Sequence, residues 1–341
     1  MTRNFGLGIA AGIGAAVVAA RLSRARLAIS FAERVVVITG GSRGLGLVMA
    51  RMFADEGARV VLLARDLGEL ERAKEDLEAR GTAGVLTVRC DIRRRADVRA
   101  AVDTILDRWR TIDVLINNAG IIQVGPFEHM THEDFENAMA THFWGPLNLM
   151  LESIPTMIHR RFGRIVNISS IGGRIAVPHL GPYCASKFAL VGLSDAARAE
   201  LDRYGIRVTT VAPGLMRTGS PMNAQFKGRH EAEYAWFKVS SSIPGVTIAA
   251  ERAARRIVDA CRYGDPSLTI TPQAQLAAAI NALAPATVAR AMMLVSRALP
   301  GPTGPQGDQI MKGRETEPPA RWTPSVVTAL TDRAAVANNE T

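Results

Sequence analysis

The sequence predicts an α/β fold, a doubly wound parallel sheet of about seven strands with helices on both faces, and three observations carry the prediction. Seven short apolar runs recur between residues 34 and 271, amphipathic stretches separate them, and a cluster of glycines follows the first run directly. Runs of roughly four to eight apolar residues without polar alternation are strands buried on both faces, the environment of a parallel sheet covered by helices. With 341 residues, 48% hydrophobic and 21% charged, the chain has a globular composition and the length for one large domain with extensions.

In chain order, the first segment is "FGLGIAAGIGAAVVAA" (5–20), uncharged and rich in small residues. As a helix it reaches roughly 24 Å, short of the ~30 Å hydrocarbon core. Three readings stay open for the stretch 1–30: a membrane anchor, a cleaved signal peptide, or an apolar helix packed on the protein. Gly8 and Gly12 have the spacing of close helix packing in lipid, and Arg21, Arg24 and Arg26 follow the run where only Arg3 precedes it. If it inserts, the rest of the chain lies on the cytoplasmic side. The main domain, 31–272, then carries the strands "RVVVIT" (34–39), "RVVLLA" (59–64), "GVLTVRC" (84–90), "DVLINN" (113–118), "GRIVNIS" (163–169), "IRVTTVA" (206–212) and "SLTIT" (267–271). Helical stretches such as "LGELERAKEDLEAR" and "ADVRAAVDTILDRW" separate them, charged on one face and apolar on the other.

The turn after the first strand, Thr39-Gly40-x-x-x-Gly44-x-Gly46, concentrates residues that cost backbone entropy. Bare backbone at the start of a helix lets a phosphate approach, where free N–H groups and the positive dipole end receive it. Strand, glycine turn and helix together open a Rossmann-type nucleotide fold, with ligands at the carboxyl ends of the strands. Cofactor choice is written at the end of the second strand, where a carboxylate holds a free ribose and cations hold a 2′-phosphate. Ala64 stands in the carboxylate position, Arg65 follows, and Arg43 lies in the glycine turn, so two guanidinium groups are expected to clamp a 2′-phosphate, favouring NADP(H) over NAD(H). Asp66, beside Arg65, is the opposing charge.

A second cluster, "ISSIGGRIAVPHLGPYCASKFAL" (168–190), places Tyr183 and Lys187 four apart, on one helix face. Hydride transfer to a carbonyl requires a proton for the developing alkoxide, and a phenol beside a cation can supply it and take it back. Ser170 is placed to hydrogen-bond the substrate oxygen.

These motifs, in this order, make the sequence resemble the short-chain dehydrogenase/reductase family over about residues 34–271. "TGGSRGLG" matches the cofactor turn, with Gly40, Ser42, Arg43, Gly44, Leu45 and Gly46. "CDI" supplies Asp91 and Ile92 on the adenine side, and "NNAG" supplies Asn118, Ala119 and Gly120. Ser170 with "YCASK" matches the catalytic group, and "PGLMRT" brings Pro213, Gly214 and Thr218. The resemblance implies a sheet of seven parallel strands, Tyr183 as acid/base, Lys187 lowering its pKa and binding the nicotinamide ribose, and Ser170 orienting the carbonyl. It also implies Thr218 at the nicotinamide carboxamide, and homodimers or homotetramers formed through helices near 132–153 and 182–204. One departure stands out: "THFWG" puts His142 where the family usually has Asn. Either its backbone carbonyl holds the relay water or the imidazole itself shuttles protons; impaired activity is the third reading.

The segment 218–249 resembles the family's variable lid, and Tyr234, Trp236 and Phe237 either cover an apolar substrate or pack as ordinary helix residues. Residues 273–300 read as two apolar helices split at Pro285, with Arg290 and Arg297 among Ala, Met, Leu and Val; a membrane surface, the substrate entrance and a second subunit are all suitable neighbours. Residues 301–341 begin with "GPTGPQGDQ" and read as a linker and loose tail on which Trp322 and Leu330 are the candidates to dock.

The net charge of +9 does not indicate nucleic acid, because the basic residues are dispersed and aromatics make up only 5%. Cys90, Cys184 and Cys261 lack disulfide-framework or zinc spacing, which fits a reducing compartment, and His129 and His132 precede a helix capped by Thr131 and Asp134, so no metal site is expected. The sequence therefore predicts an NADP(H)-dependent oxidoreductase interconverting a carbonyl and a secondary alcohol on a hydrophobic, lipid-like or steroid-like substrate. The alternative is a membrane-associated NADP(H)-binding sensor or scaffold with little turnover, favoured by His142 alone.

Overall fold

The computed structural model describes residues 24–82, 84–316 and 318–340. The apolar run 5–20, and with it the predicted anchor, lies outside the described residues. Among those described, no helix is long and apolar enough to cross a membrane.

Seven strands form one parallel sheet: β1 (Val35–Thr39), β2 (Arg59–Ala64), β3 (Val85–Arg89), β4 (Val114–Asn117), β5 (Gly163–Ile168), β6 (Ile206–Pro213) and β7 (Ser267–Ile270), in the order β7-β6-β5-β4-β1-β2-β3. Each falls within a residue of its expected bounds. Their uniform hydrophobicity has the expected cause. Val36 and Ile38 of β1 pack on one face with Leu47 and Phe53 of α1 (Gly44–Asp55), Leu70 of α2 (Leu67–Ala79) and an isoleucine, Ile257, further along the chain. Val35 and Val37 pack on the other face with Ile105 of α3 (Arg95–Trp109). Period-two side chains thus meet helices on both sides, and each large aliphatic side chain so buried contributes about 1.5–3 kcal/mol.

The sheet order reverses between β1 and β4, the position where a doubly wound sheet opens a crevice at its carboxyl edge. Thr39 pins that crevice: its Oγ1 accepts the N–H groups of Asn118 and Ala119, both at 2.9 Å. Thr131 and Asp134 form a capping box on α4 (His132–Met139). The helix expected over 132–153 is interrupted by a π turn at Ala140–Trp144, after which α5 (Gly145–Arg160) continues; His142 sits on that turn. Then α6 (Gly181–Leu201) carries Tyr183 and Lys187.

The lid contains a single helical turn (Ser220–Asn223) and α7 (His230–Ser240), followed by α8 (Ala250–Tyr263), the source of Ile257. Pro285 splits the extension as expected into α9 (Pro272–Leu283) and α10 (Pro285–Ala298), whose Leu276, Leu283, Met293 and Leu294 are exposed.

The tail departs from expectation, because it is folded onto the domain. Met311–Lys312 pairs with Gln225–Phe226, His129 Nδ1 lies 2.7 Å from Asp308 Oδ1, and α11 (Ser325–Ala337) packs beside α7. Trp322 and Leu330 are not what docks it, being 40% and 47% exposed. Small side chains do so: Thr328, Thr331 and Ala335 are buried, and Thr331 Oγ1 lies 2.8 Å from Ser242 Oγ. Short side chains let the helix approach closely, a signal that a search for large apolar residues misses.

Candidate active site

A cleft of roughly 1000 Å³ runs along the carboxyl edge from the glycine turn, past α6, to α7. Of the sequence-predicted site residues, all but Gly46 line it. Gly46 lies behind the turn and is required there for packing, since a Cβ would overlap the Gly40 carbonyl and lie 2.7 Å from Asn118 Nδ2. Gly40 (φ +60°) and Gly44 (φ +55°) occupy the left-handed region that glycine adopts without strain. Gly120 clears space at the other end, where a Cβ would be 3.1 Å from His142 Nε2.

Tyr183, Lys187 and Ser170 converge in the middle. Lys187 is buried, donates from Nζ to the Ile168 carbonyl at 2.9 Å, and lies 5.7 Å from the centre of the Tyr183 ring. Ser170 Oγ accepts the Gly172 N–H at 3.0 Å and acts on the phenol, lowering its pKa. Gly172 admits the tyrosine ring, as a Cβ there would be 3.1 Å from it. Burial pushes the Tyr183 phenol up to about 12 against a smaller lowering by Ser170, and burial brings Lys187 down to about 7. Desolvation, not the lysine charge, dominates both groups.

His142 is buried, with both ring nitrogens engaged. Nε2 accepts the Ile121 N–H at 3.1 Å, and Nδ1 lies 2.7 Å from Ser186 Oγ, whose hydroxyl reaches the Pro182 and Tyr183 carbonyls at 2.9 Å. Burial, then the Lys187 charge, pushes its pKa well below the ordinary value. A side-chain proton shuttle thus has no free nitrogen in this arrangement, and the backbone-carbonyl and impaired-activity readings both stand.

The corner where a two-arginine clamp is expected is arranged differently. Arg43 Nη1 donates to Glu69 Oε1 at 2.8 Å and to Asn223 Oδ1 at 3.0 Å, and Glu69 also accepts from Ser42 Oγ. Arg65 lines the cleft and forms no ion pair with another described residue. Asp66 does not neutralise it; it caps α2 by accepting the Glu69 N–H at 2.9 Å. Asp91 pairs with Arg93 at 2.6 Å, which holds its carboxyl below the usual range.

Of the lid aromatics, Tyr234 is core, packed with Phe226, Val124 and Leu180, whereas Trp236 and Phe237 face the cleft. Sequence reasoning missed three participants: Glu69; the buried His179–Glu233 pair (2.9 Å), which also receives the Trp236 indole N–H; and Glu340, whose carboxylate accepts the Gly219 N–H at 2.6 Å. No spacing pattern ties these residues to the motifs. The donor set suits a nicotinamide dinucleotide: bare backbone at Gly40 and Gly44, and an acidic group already held by the Gly219 amide.

Residues 34–228 match the model of the short chain dehydrogenase family. "Dehydrogenase/reductase SDR family member 7B" from Bos taurus is 39% identical over 195 residues, 56% of this chain and 60% of that protein. The chain thus matches three fifths of that relative's length. Two solved structures are similar: a metagenomic short-chain oxidoreductase in complex with NADP (36% identity, TM-score 0.53, covering 56% of this chain and 86% of that one), and an actinorhodin polyketide ketoreductase with NADPH (29%, 0.62, 70% and 95%). The glycine turn, the Ser170, Tyr183 and Lys187 group, and these matches agree: the chain belongs to the short-chain dehydrogenase/reductase family of NAD(P)-dependent oxidoreductases.

Proposed function

We propose that this protein is an NADP(H)-dependent reductase of ketones on hydrophobic substrates, with Tyr183 as the acid. The convergence of Ser170, Tyr183 and Lys187 in the cleft carries the reading. The cofactor supplies the hydride. Ser170 orients the carbonyl oxygen, Tyr183 gives it a proton, and Lys187, anchored on the Ile168 carbonyl, stands ready to charge when an anion enters. A phenol pushed up by burial is protonated at neutral pH, the form that gives a proton to an alkoxide.

Trp236, Phe237, Leu180 and Val177 give the substrate end an apolar wall, which supports a lipophilic ketone. Arg65 in the cleft supports a 2′-phosphate, while Arg43 is held by Glu69, and two similar structures hold NADP or NADPH. Self-association through α5 and α6 is supported by Trp144, Leu151 and Phe188, exposed on that side.

The test is NADPH consumption over a panel of lipophilic ketones by wild type and Tyr183→Phe. The reading requires turnover by wild type and a loss of roughly 10²-fold or more in the variant. Equal rates would remove Tyr183 from the chemistry.

A further inference from the structure

The segment after α11 ends in the cofactor cleft. Arg51 of α1 holds it from behind, donating to Asn338 Oδ1 at 2.8 Å and to the Ala337 carbonyl at 3.1 Å. The Asn338 carbonyl then accepts the Gly44 N–H at 2.8 Å, the first amide of α1 and one of the groups a bound phosphate requires. Asn339 donates to the Ser42 carbonyl at 2.9 Å and accepts from Arg72 at 2.7 Å. Glu340, 6% exposed, crosses the cleft: one carboxylate oxygen accepts the Gly219 N–H at 2.6 Å, and the other lies 2.9 Å from where a Gly44 Cβ would stand. An acidic group therefore spans from the glycine turn, where a dinucleotide of this fold rests its diphosphate, to the loop that follows Thr218.

Resting on the cofactor reading above, we propose that Asn338–Glu340 is an intramolecular competitor of the cofactor's diphosphate, a latch that must leave the glycine turn before NADP(H) is bound.

Its chemistry is that of a replaceable ligand. Glu340 has no ion pair with another described residue, and Arg43, the cation nearest to hand, is engaged by Glu69. A buried carboxylate with so few partners is held weakly. A diphosphate brings more oxygens and more charge to the same amides, so it is the better ligand once present.

The experiment compares full-length wild type with Glu340→Ala and Arg51→Ala, the second releasing the segment from outside the cleft. NADPH affinity is measured by fluorescence titration, with inorganic diphosphate as a probe that lacks the nicotinamide. Hydrogen exchange is followed in peptides covering 325–340. If the latch closes about nine molecules in ten, both variants bind NADPH about tenfold more tightly. In wild type, NADPH and diphosphate each raise exchange at 334–340. Equal affinity in all three proteins, or greater protection of 334–340 with NADPH, overturns the latch while leaving the cofactor reading intact. NADPH binding to none of the three overturns both.

Discussion

His142 and Ser186 meet at 2.7 Å through Nδ1 and Oγ, and this contact fixes the state of the imidazole. Because Ile121 donates its N–H to Nε2, the ring proton sits on Nδ1 and is given to Ser186, which passes its own to the Pro182 carbonyl. The ring is thereby a neutral strut between the segment after β4 and the catalytic helix.

His142→Ala leaves the Ile121 N–H without its acceptor and takes from Ser186 Oγ the proton it accepts, so thermal unfolding should report a loss of about 1–3 kcal/mol. The imidazole's lowered pKa means that the unfolded chain takes up a proton there first; its contribution is full above the ordinary value of 6.5 and is lost as pH falls below it. Wild type should therefore lose stability on acidification from pH 7 to 5 more steeply than His142→Asn. Parallel curves would show that the imidazole's titration does not act on the fold.

Gly46→Ala drives a methyl group into the Gly40 backbone carbonyl, where no rotamer can relieve it. The expected outcome is a fall in melting temperature together with loss of NADPH binding. Retention of both would place the helix start differently from the arrangement described.

At the 2′-phosphate corner, Arg65 is available and Arg43 is not. Arg65→Ala should weaken NADPH by roughly tenfold or more while leaving NADH nearly unchanged, as expected for one charge-assisted hydrogen bond. Glu69→Gln frees Arg43 and removes an opposing charge, so the same titrations should show NADPH binding tightened. If Arg65→Ala weakens both cofactors alike, the arginine serves the adenosine and not its phosphate.

Burial pushes the Glu340 carboxyl up to about 7 from its ordinary 4.5; the Gly219 N–H and the Arg43 charge lower it, and Glu69 raises it. The latched form is thus the one that keeps its proton between these values. Acid strengthens the latch, raising the pH through that window loosens it, and above about 7 nothing further is lost. NADPH affinity of wild type, normalised to Glu340→Gln, should climb from pH 5 to pH 7 and then level. A flat ratio would separate Glu340 from cofactor binding.

The sheet was readable because each strand is apolar on both faces, and Tyr183 with Lys187 because one helical turn places both in the same cleft. What escaped reading depends on distance along the chain or on burial. Asn339 reaches Ser42 across 297 residues, and its Pro- and Gly-rich approach has the composition of a linker. The tyrosine and lysine could be paired by spacing, but the depth at which they lie decides their acidity, and depth belongs to the assembled sheet. Arg43 was rightly placed in the turn, but its engagement by Glu69 depends on how α2 packs against that turn.

The strap formed by residues 303–340 is fastened at several places. It touches His129, pairs with Gln225–Phe226, is pinned to α7 by Lys238–Asp332 at 2.9 Å and ends at Ser42 and Gly219. One end of this strap meets the dinucleotide turn, and its middle braces the helix whose Trp236 and Phe237 wall the substrate chamber. Displacing the end would remove one of the fastenings of the strap that braces this wall. The kinetic signature of such a linkage is a compulsory sequence, with nucleotide bound first and the ketone second, and product inhibition patterns will register it.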